Sequence, residues 1–182
     1  MKRFTIWFAL ALFLLFLSFQ SESLAQDKDV RASLKASVMQ RIGVDTDITI
    51  VFSRPGVKGR KIWGGLEPYG EVWRAGANEN TTFEVSKDVL VDGQKLAAGK
   101  YGLHMIPGEK DWTVIFSKNN SAWGSFSYKK EEDALRVSAT PKEAPHQEWL
   151  TYGFENLAGT TATGYLWWEE LKVPFEIKAA DQ

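Results

Sequence analysis

The sequence predicts an all-β protein: a single antiparallel β-sandwich, jelly-roll-like, preceded by a helical N-terminal signal peptide. Three observations carry this. Apolar and polar residues alternate with period two in one segment after another, the signature of half-buried strands. Turn signals built from Gly, Pro, Asn and Asp punctuate the chain every 8–12 residues or so, the spacing expected of sandwiches and barrels. No amphipathic 3.6-residue pattern is found after the leader.

The first element is the leader. Lys2 and Arg3 precede an almost wholly apolar run over residues 4–19, and Ser23 and Ala25 supply the small residues a signal peptidase requires. Cleavage is expected between Ala25 and Gln26, giving an exported protein, periplasmic or extracellular, with no stable membrane span left behind. The apolar run is shorter than the roughly 20 residues a spanning helix needs. Of 182 residues, about 157 would remain, enough for one domain with a proper core. Residues 26–34 are expected to be a loose leader and residues 35–179 the domain.

Composition narrows the chemistry. Without Lys2, Arg3 and Glu22 the chain keeps 20 basic and 22 acidic side chains, a balance that argues against nucleic acid as a partner. The chain has no cysteine, which excludes disulfides, thiol catalysis and thiolate metal sites. Two histidines cannot form a three-histidine metal site.

Strands follow in order. Val38 and Ile42 belong to the first. In residues 46–53, Ile48, Ile50 and Phe52 alternate with Thr49, Val51 and Ser53, and Pro55-Gly56 ends the run. After a long irregular stretch, residues 71–75 read as a short strand and residues 81–86 as another, with Phe83 and Val85 inward. Val89 and Val91 lead into Asp92-Gly93, a strong type I′ hairpin signal. The returning strand is placed from Gly99, with Tyr101, Leu103 and Met105 on one face and Gly102, His104 and Ile106 on the other. Residues 112–117 are so apolar that both faces should be covered. Residues 123–128 are expected to be extended, and residues 129–133 to be a charged loop. Residues 135–140, 149–155, 161–168 and 173–178 complete the set. Pro174 lacks an N–H, which suggests an edge position for the last strand.

The most irregular segment, residues 53–80, is where a binding site is expected, because long loops in compact domains are commonly functional. Its first half carries Arg54, Lys58, Arg60 and Lys61 among glycines, a combination that lets backbone and guanidinium groups approach an anion. Its second half, from Trp73 to Phe83, places Arg74, Asn78, Glu79 and Thr81 beside a tryptophan, the mixed donors and acceptors a polar ligand requires. The ligand-binding set read from the sequence is Arg54, Arg60, Trp63, Trp73, Arg74, Asn78 and Glu79, with His104 nearby. The bland alternatives are a solvated basic loop and a turn whose side chains bond their own backbone. No catalytic residue is assigned and no cofactor is expected. A metal-dependent hydrolase built on His104, His146 and Glu148, or on Glu79, is the enzymatic alternative, without any HExxH spacing behind it. No GxSxG elbow is present. Trp123, Trp149, Trp167 and Trp168 offer stacking surfaces, although alternation should turn most of them inward.

Three long segments carry a family resemblance: FSRPGVKGRKIWGGLEPYGEVWRAGANENTTF, VDGQKLAAGKYGLHMIPGEKDWTVIFSKN and APHQEWLTYGFENL. Together they resemble the domain of unknown function 2911 family of exported bacterial proteins, over about residues 32–178. The resemblance implies a single-domain, signal-bearing envelope protein and brings no activity, cofactor or catalytic residue with it. The expected partner is a glycan or an anionic small molecule. An envelope assembly module docking on a protein partner is the third reading.

Overall fold

A computed structural model describes residues 30–180. The expected signal peptide, its expected cleavage point and part of the expected loose leader lie outside the described residues. From residue 33 onwards the chain forms one compact unit. Among the described residues, no helix is long and apolar enough to cross a membrane.

The fold is all-β and sandwich-like, two antiparallel sheets. Ten strands follow in order: β1 (Leu34–Ile42), β2 (Thr46–Arg54), β3 (Thr82–Val85), β4 (Val89–Val91), β5 (Gln94–Leu96), β6 (Gly99–Ile106), β7 (Trp112–Ser117), β8 (Asp133–Ala139), β9 (Lys142–Ala158) and β10 (Thr161–Ala179). A six-stranded sheet runs β1-β2-β3-β6-β7-β8 and a four-stranded sheet runs β5-β4-β10-β9. Sequence neighbours mostly pair, as short antiparallel turns allow. The segment β4–β5 leaves the first sheet and joins the second, which brings the two layers together.

The alternation read from the sequence sorts the layers. Ile48, Ile50 and Phe52 of β2, Phe83 of β3 and Leu103 and Met105 of β6 enter the core from one sheet. Leu150, Tyr152, Leu166, Trp168, Val173 and Phe175 enter from the other. The Asp92-Gly93 turn has φ of 44° and 76°, the two positive values a type I′ turn demands. Its return strand is β5, at Gln94–Leu96, and not the strand at Gly99. Gly99 instead opens β6, back in the six-stranded sheet. Three residues of β5 are too few to show a period, so the sequence pattern passes over them.

Three further expectations are revised. Residues 71–75 form no strand; a single bridge ties Trp73 to Met105. Residues 123–128 are not extended but fold as turns, with a bridge from Trp123 to Glu79. Residues 161–168 and 173–178 are one strand, β10, which lies between β4 and β9 rather than at an edge. Pro174 is accommodated because β10 changes partners there: its pairing with β9 runs from Thr161 to Lys172 and its pairing with β4 from Ile177 to Ala179. The missing N–H falls in the gap.

The outer face of the six-stranded sheet matters for the site. His104, Ile115 and Arg136 are cross-strand neighbours on β6, β7 and β8. Ile115 is fully buried yet stands apart from the sandwich core cluster. The turns of residues 121–128 lie over this row, with Ser125 and Tyr128 against His104, which explains why Ile115 is buried on the outer face of β7.

Candidate functional site

The irregular stretch after β2 is clasped at both ends. Its first part runs against β9: the Val57 amide donates to the Glu148 carbonyl and the Leu150 amide to the Pro55 carbonyl, each bond 2.8–3.0 Å. Gly56 bridges Trp149, and a methyl group on Gly56 would meet Glu148 Oε1 at 3.0 Å. Its second part runs beside β6: Gly70 N–H reaches the Pro107 carbonyl, and Trp73 and Met105 exchange both amide bonds, all at 2.8 Å. Between these anchors the chain forms one wall of a cleft of about 470 Å³. Glu67, Val72, Trp73 and Arg74 line that wall, and Ser125 and Phe126 from the covering turns line the other.

Four groups define its chemistry. Arg74 is half-buried, and its Nε is buried without a hydrogen-bond partner. Its Nη1 lies against Gly124, where a methyl group would sit 2.5 Å away; Gly124 also has φ of 68°, so glycine is required there twice over. The guanidinium is thus set beside Ser125. Glu67 is half-buried, and burial pushes its carboxyl up to about 7, against the pull of the Arg74 and Arg60 charges.

Ser125 Oγ lies 3.0 Å from Nδ1 of His104, which is 2% exposed. Burial pushes the His104 imidazole down to about 4, with Asp133 opposing that shift, so the ring is neutral at physiological pH. Behind it, the Tyr128 ring packs 5.4 Å from the imidazole. The Tyr128 hydroxyl donates to Asp133 Oδ2 at 2.6 Å, Arg136 Nε donates to the same oxygen at 2.5 Å, and Arg136 Nη2 donates to the Tyr128 oxygen. Burial and the Asp133 bond push the Tyr128 phenol up to about 12. At neutral pH the cleft wall therefore carries a carboxyl that holds its proton unusually late, and a neutral imidazole stands buried against Ser125. Environments that separate or invert pKa values in this way are characteristic of functional sites.

The residues expected from the sequence are not gathered into one place. Arg74 and Trp73 line the cleft, and Arg60 is near enough for its charge to act on Glu67. Arg60 also closes its own loop, donating to the Val57 and Gly56 carbonyls. Arg54 donates to the Leu150 carbonyl at 2.9 Å and serves the loop's attachment to β9. Asn78, at φ 61°, donates to the Ser33 carbonyl and holds the start of β1. Trp63 is a core residue, edge-on to Trp73, Trp112 and Trp168 at 4.6–5.8 Å. Glu79 lines a different and smaller hollow, about 220 Å³, with Lys35, Asn80 and Lys100.

His104 sits on β6 and bonds Ser125, whereas His146 sits on β9, 3.4 Å from Glu148. Glu148 also accepts the Lys58 amide, which holds its pKa below the usual carboxylate range. Among the described residues, no group of three or more His, Asp or Glu side chains could hold a metal ion. Of the tryptophans offered as stacking surfaces, Trp168 is buried, while Trp123 and Trp149 are 55% and 41% exposed.

Sequence reasoning missed Glu67, Gly124 and Ser125. Glu67 lay inside the highlighted stretch but carried no motif. Ser125 lies in residues 123–128, whose aromatics suggest an extended segment; the small residues at 124, 125 and 127 among them are the available sign of a turn packed over another surface.

A family model described as "Protein of unknown function (DUF2911)" matches residues 33–177. No curated protein and no solved structure matches the chain.

Proposed function

The chain belongs to the DUF2911 family, and we infer that it is an exported envelope protein that binds a small anionic polar ligand in the cleft between residues 66–74 and 125–126. The observation that supports this most is Arg74, which lines a concave surface and whose Nε is buried without a hydrogen-bond partner. Arginine's planar fork suits carboxylate, phosphate or sulfate groups, and a low-dielectric wall strengthens the attraction. Val72, Phe126 and Leu66 supply apolar walls beside it, and Ser125 an additional hydroxyl. Export rests on the leader-like N-terminus.

The test is a thermal-shift screen against inorganic phosphate, sulfate, small carboxylates and uronic acids. A ligand at about 100 times its Kd stabilises by about 2.7 kcal/mol, or roughly 5–10 °C in a domain of this size. Arg74→Ala should abolish the shift while keeping the melting cooperative. The shift should also be larger at pH 6 than at pH 8, because Glu67 becomes anionic as pH rises through about 7 and then competes for Arg74. A wild-type protein indifferent to every anion in the screen ends this reading.

A further inference from the structure

We propose that this cleft is also an acyl-transfer site, in which Ser125 is the nucleophile, His104 the base that takes its proton, and the substrate a small carboxylic ester carrying an anionic group. The inference deepens the binding reading and rests on it for the substrate class. Its own support is the geometry around Ser125. Ser125 lines the cleft, and its hydroxyl lies 3.0 Å from the Nδ1 atom of a histidine with 2% exposure. Such a nucleophile–base contact is the minimum an activated serine needs. In the Nε2–H tautomer Nδ1 accepts from the Ser125 hydroxyl. The ring is held from behind by Tyr128; burial keeps the imidazole neutral and so free to accept a proton, and the Asp133 carboxylate of the Tyr128–Asp133–Arg136 network opposes that burial. Arg74, packed on Gly124, places a cation one residue from the nucleophile, where charge develops on the carbonyl oxygen.

The reaction balances without a metal or redox partner. Ser125 Oγ bonds to the ester carbonyl carbon as its proton passes to His104 Nδ1. The carbon–alkoxide bond breaks, and the departing alkoxide receives that proton and leaves as the alcohol. Water then attacks the acyl-serine, with His104 again taking and returning a proton, which releases the carboxylic acid and restores Ser125.

The experiment treats the purified full chain with a fluorophosphonate probe and maps adducts by mass spectrometry. In parallel it follows hydrolysis of p-nitrophenyl acetate and its anionic analogue p-nitrophenyl succinate. The expected result is a single adduct on Ser125, absent in Ser125→Ala, and at least a 100-fold slower labelling rate in His104→Gln. Hydrolysis of the succinate ester should exceed that of the acetate, and Arg74→Ala should remove the preference. Ser125 is a half-buried turn residue, so Ser125→Ala reports on the nucleophile even if His104→Gln folds poorly. An unlabelled wild type, an adduct elsewhere, or labelling that survives Ser125→Ala overturns the proposal. The anion thermal shift, read on the same preparation, separates the two claims: a shift without labelling leaves a binding protein, and labelling without a shift leaves the nucleophile and removes the anionic ligand.

Discussion

Glu67 and His104 illustrate how a folded environment can reverse the solution order of two side chains. Free in water, a glutamate loses its proton about two units below the point where a histidine does. Here the carboxyl is pushed up to about 7 and the imidazole down to about 4, both mainly by burial. The linkage signs are opposite. The native state binds the Glu67 proton more tightly than the unfolded chain does, so its contribution to stability is present at low pH and lost as pH rises from about 4.5 through 7. The native state binds the His104 proton less tightly, so stability is lost as pH falls from about 6.5 towards 4, by about 3 kcal/mol for a shift of this size. Glu67→Gln should therefore raise Tm relative to wild type more at pH 8 than at pH 4.5. Melting curves across that range check it, and a constant difference would contradict the burial of the carboxyl. None of this was legible locally: Glu67 precedes Pro68 in an irregular stretch, and its shift comes from what packs around it.

At the scale of elements, the segment from Pro55 to Thr81 has the glycines and charges of a flexible loop but the hydrogen bonds of a structured one. Its anchors are the Gly56–Trp149 and Trp73–Met105 bridges, and each attaches it to a different sheet. Amide exchange should show this. The Gly70 and Trp73 N–H groups, bonded to the Pro107 and Met105 carbonyls, are expected to exchange at least about 100-fold slower than unstructured amides. Free exchange at both positions would mean that the cleft wall opens readily and that the preorganisation argued for Arg74 is absent. The sequence located this segment and singled out Trp73 and Arg74, because the mixture of residue types there departs from strand alternation. The roles of Arg54 and Asn78 were not legible, since their partners are carbonyls of Leu150 and Ser33, far away in the chain. A side chain's capacity to bind a ligand and its capacity to tie a loop are the same chemistry, and only the neighbour decides between them.

At the scale of the whole molecule, four tryptophans join the loop to both sheets. Trp63 and Trp73 come from the loop, Trp112 from β7 and Trp168 from β10, with centroid separations of 4.6–5.8 Å. Truncating a buried ring of this size leaves a large cavity, so Trp63→Ala should cost about 3–5 kcal/mol and lower Tm by about 10 °C. Chemical denaturation measures the loss; a change below about 1 kcal/mol would show that the cluster is not a junction. The two-layer architecture itself was readable, because period-two alternation, the Asp92-Gly93 turn and the absence of helical periodicity are local properties that survive into the fold. The division between what the sequence determined and what the tertiary structure decided follows from that locality. The all-β class, the inward faces of β2, β3 and β6 and the family were in the sequence, whereas β5, the turns at 123–128 and the unbroken run of β10 were not. The partnering of His104 with Ser125, the elevation of Glu67, the central place of β10 and the separation of His104 from His146 were decided by register between distant strands and by the turns that cover the outer face of the first sheet. Alternation encodes which face of a strand turns inward, but which strands pair and what covers an outer face are long-range quantities that no local pattern of residues encodes.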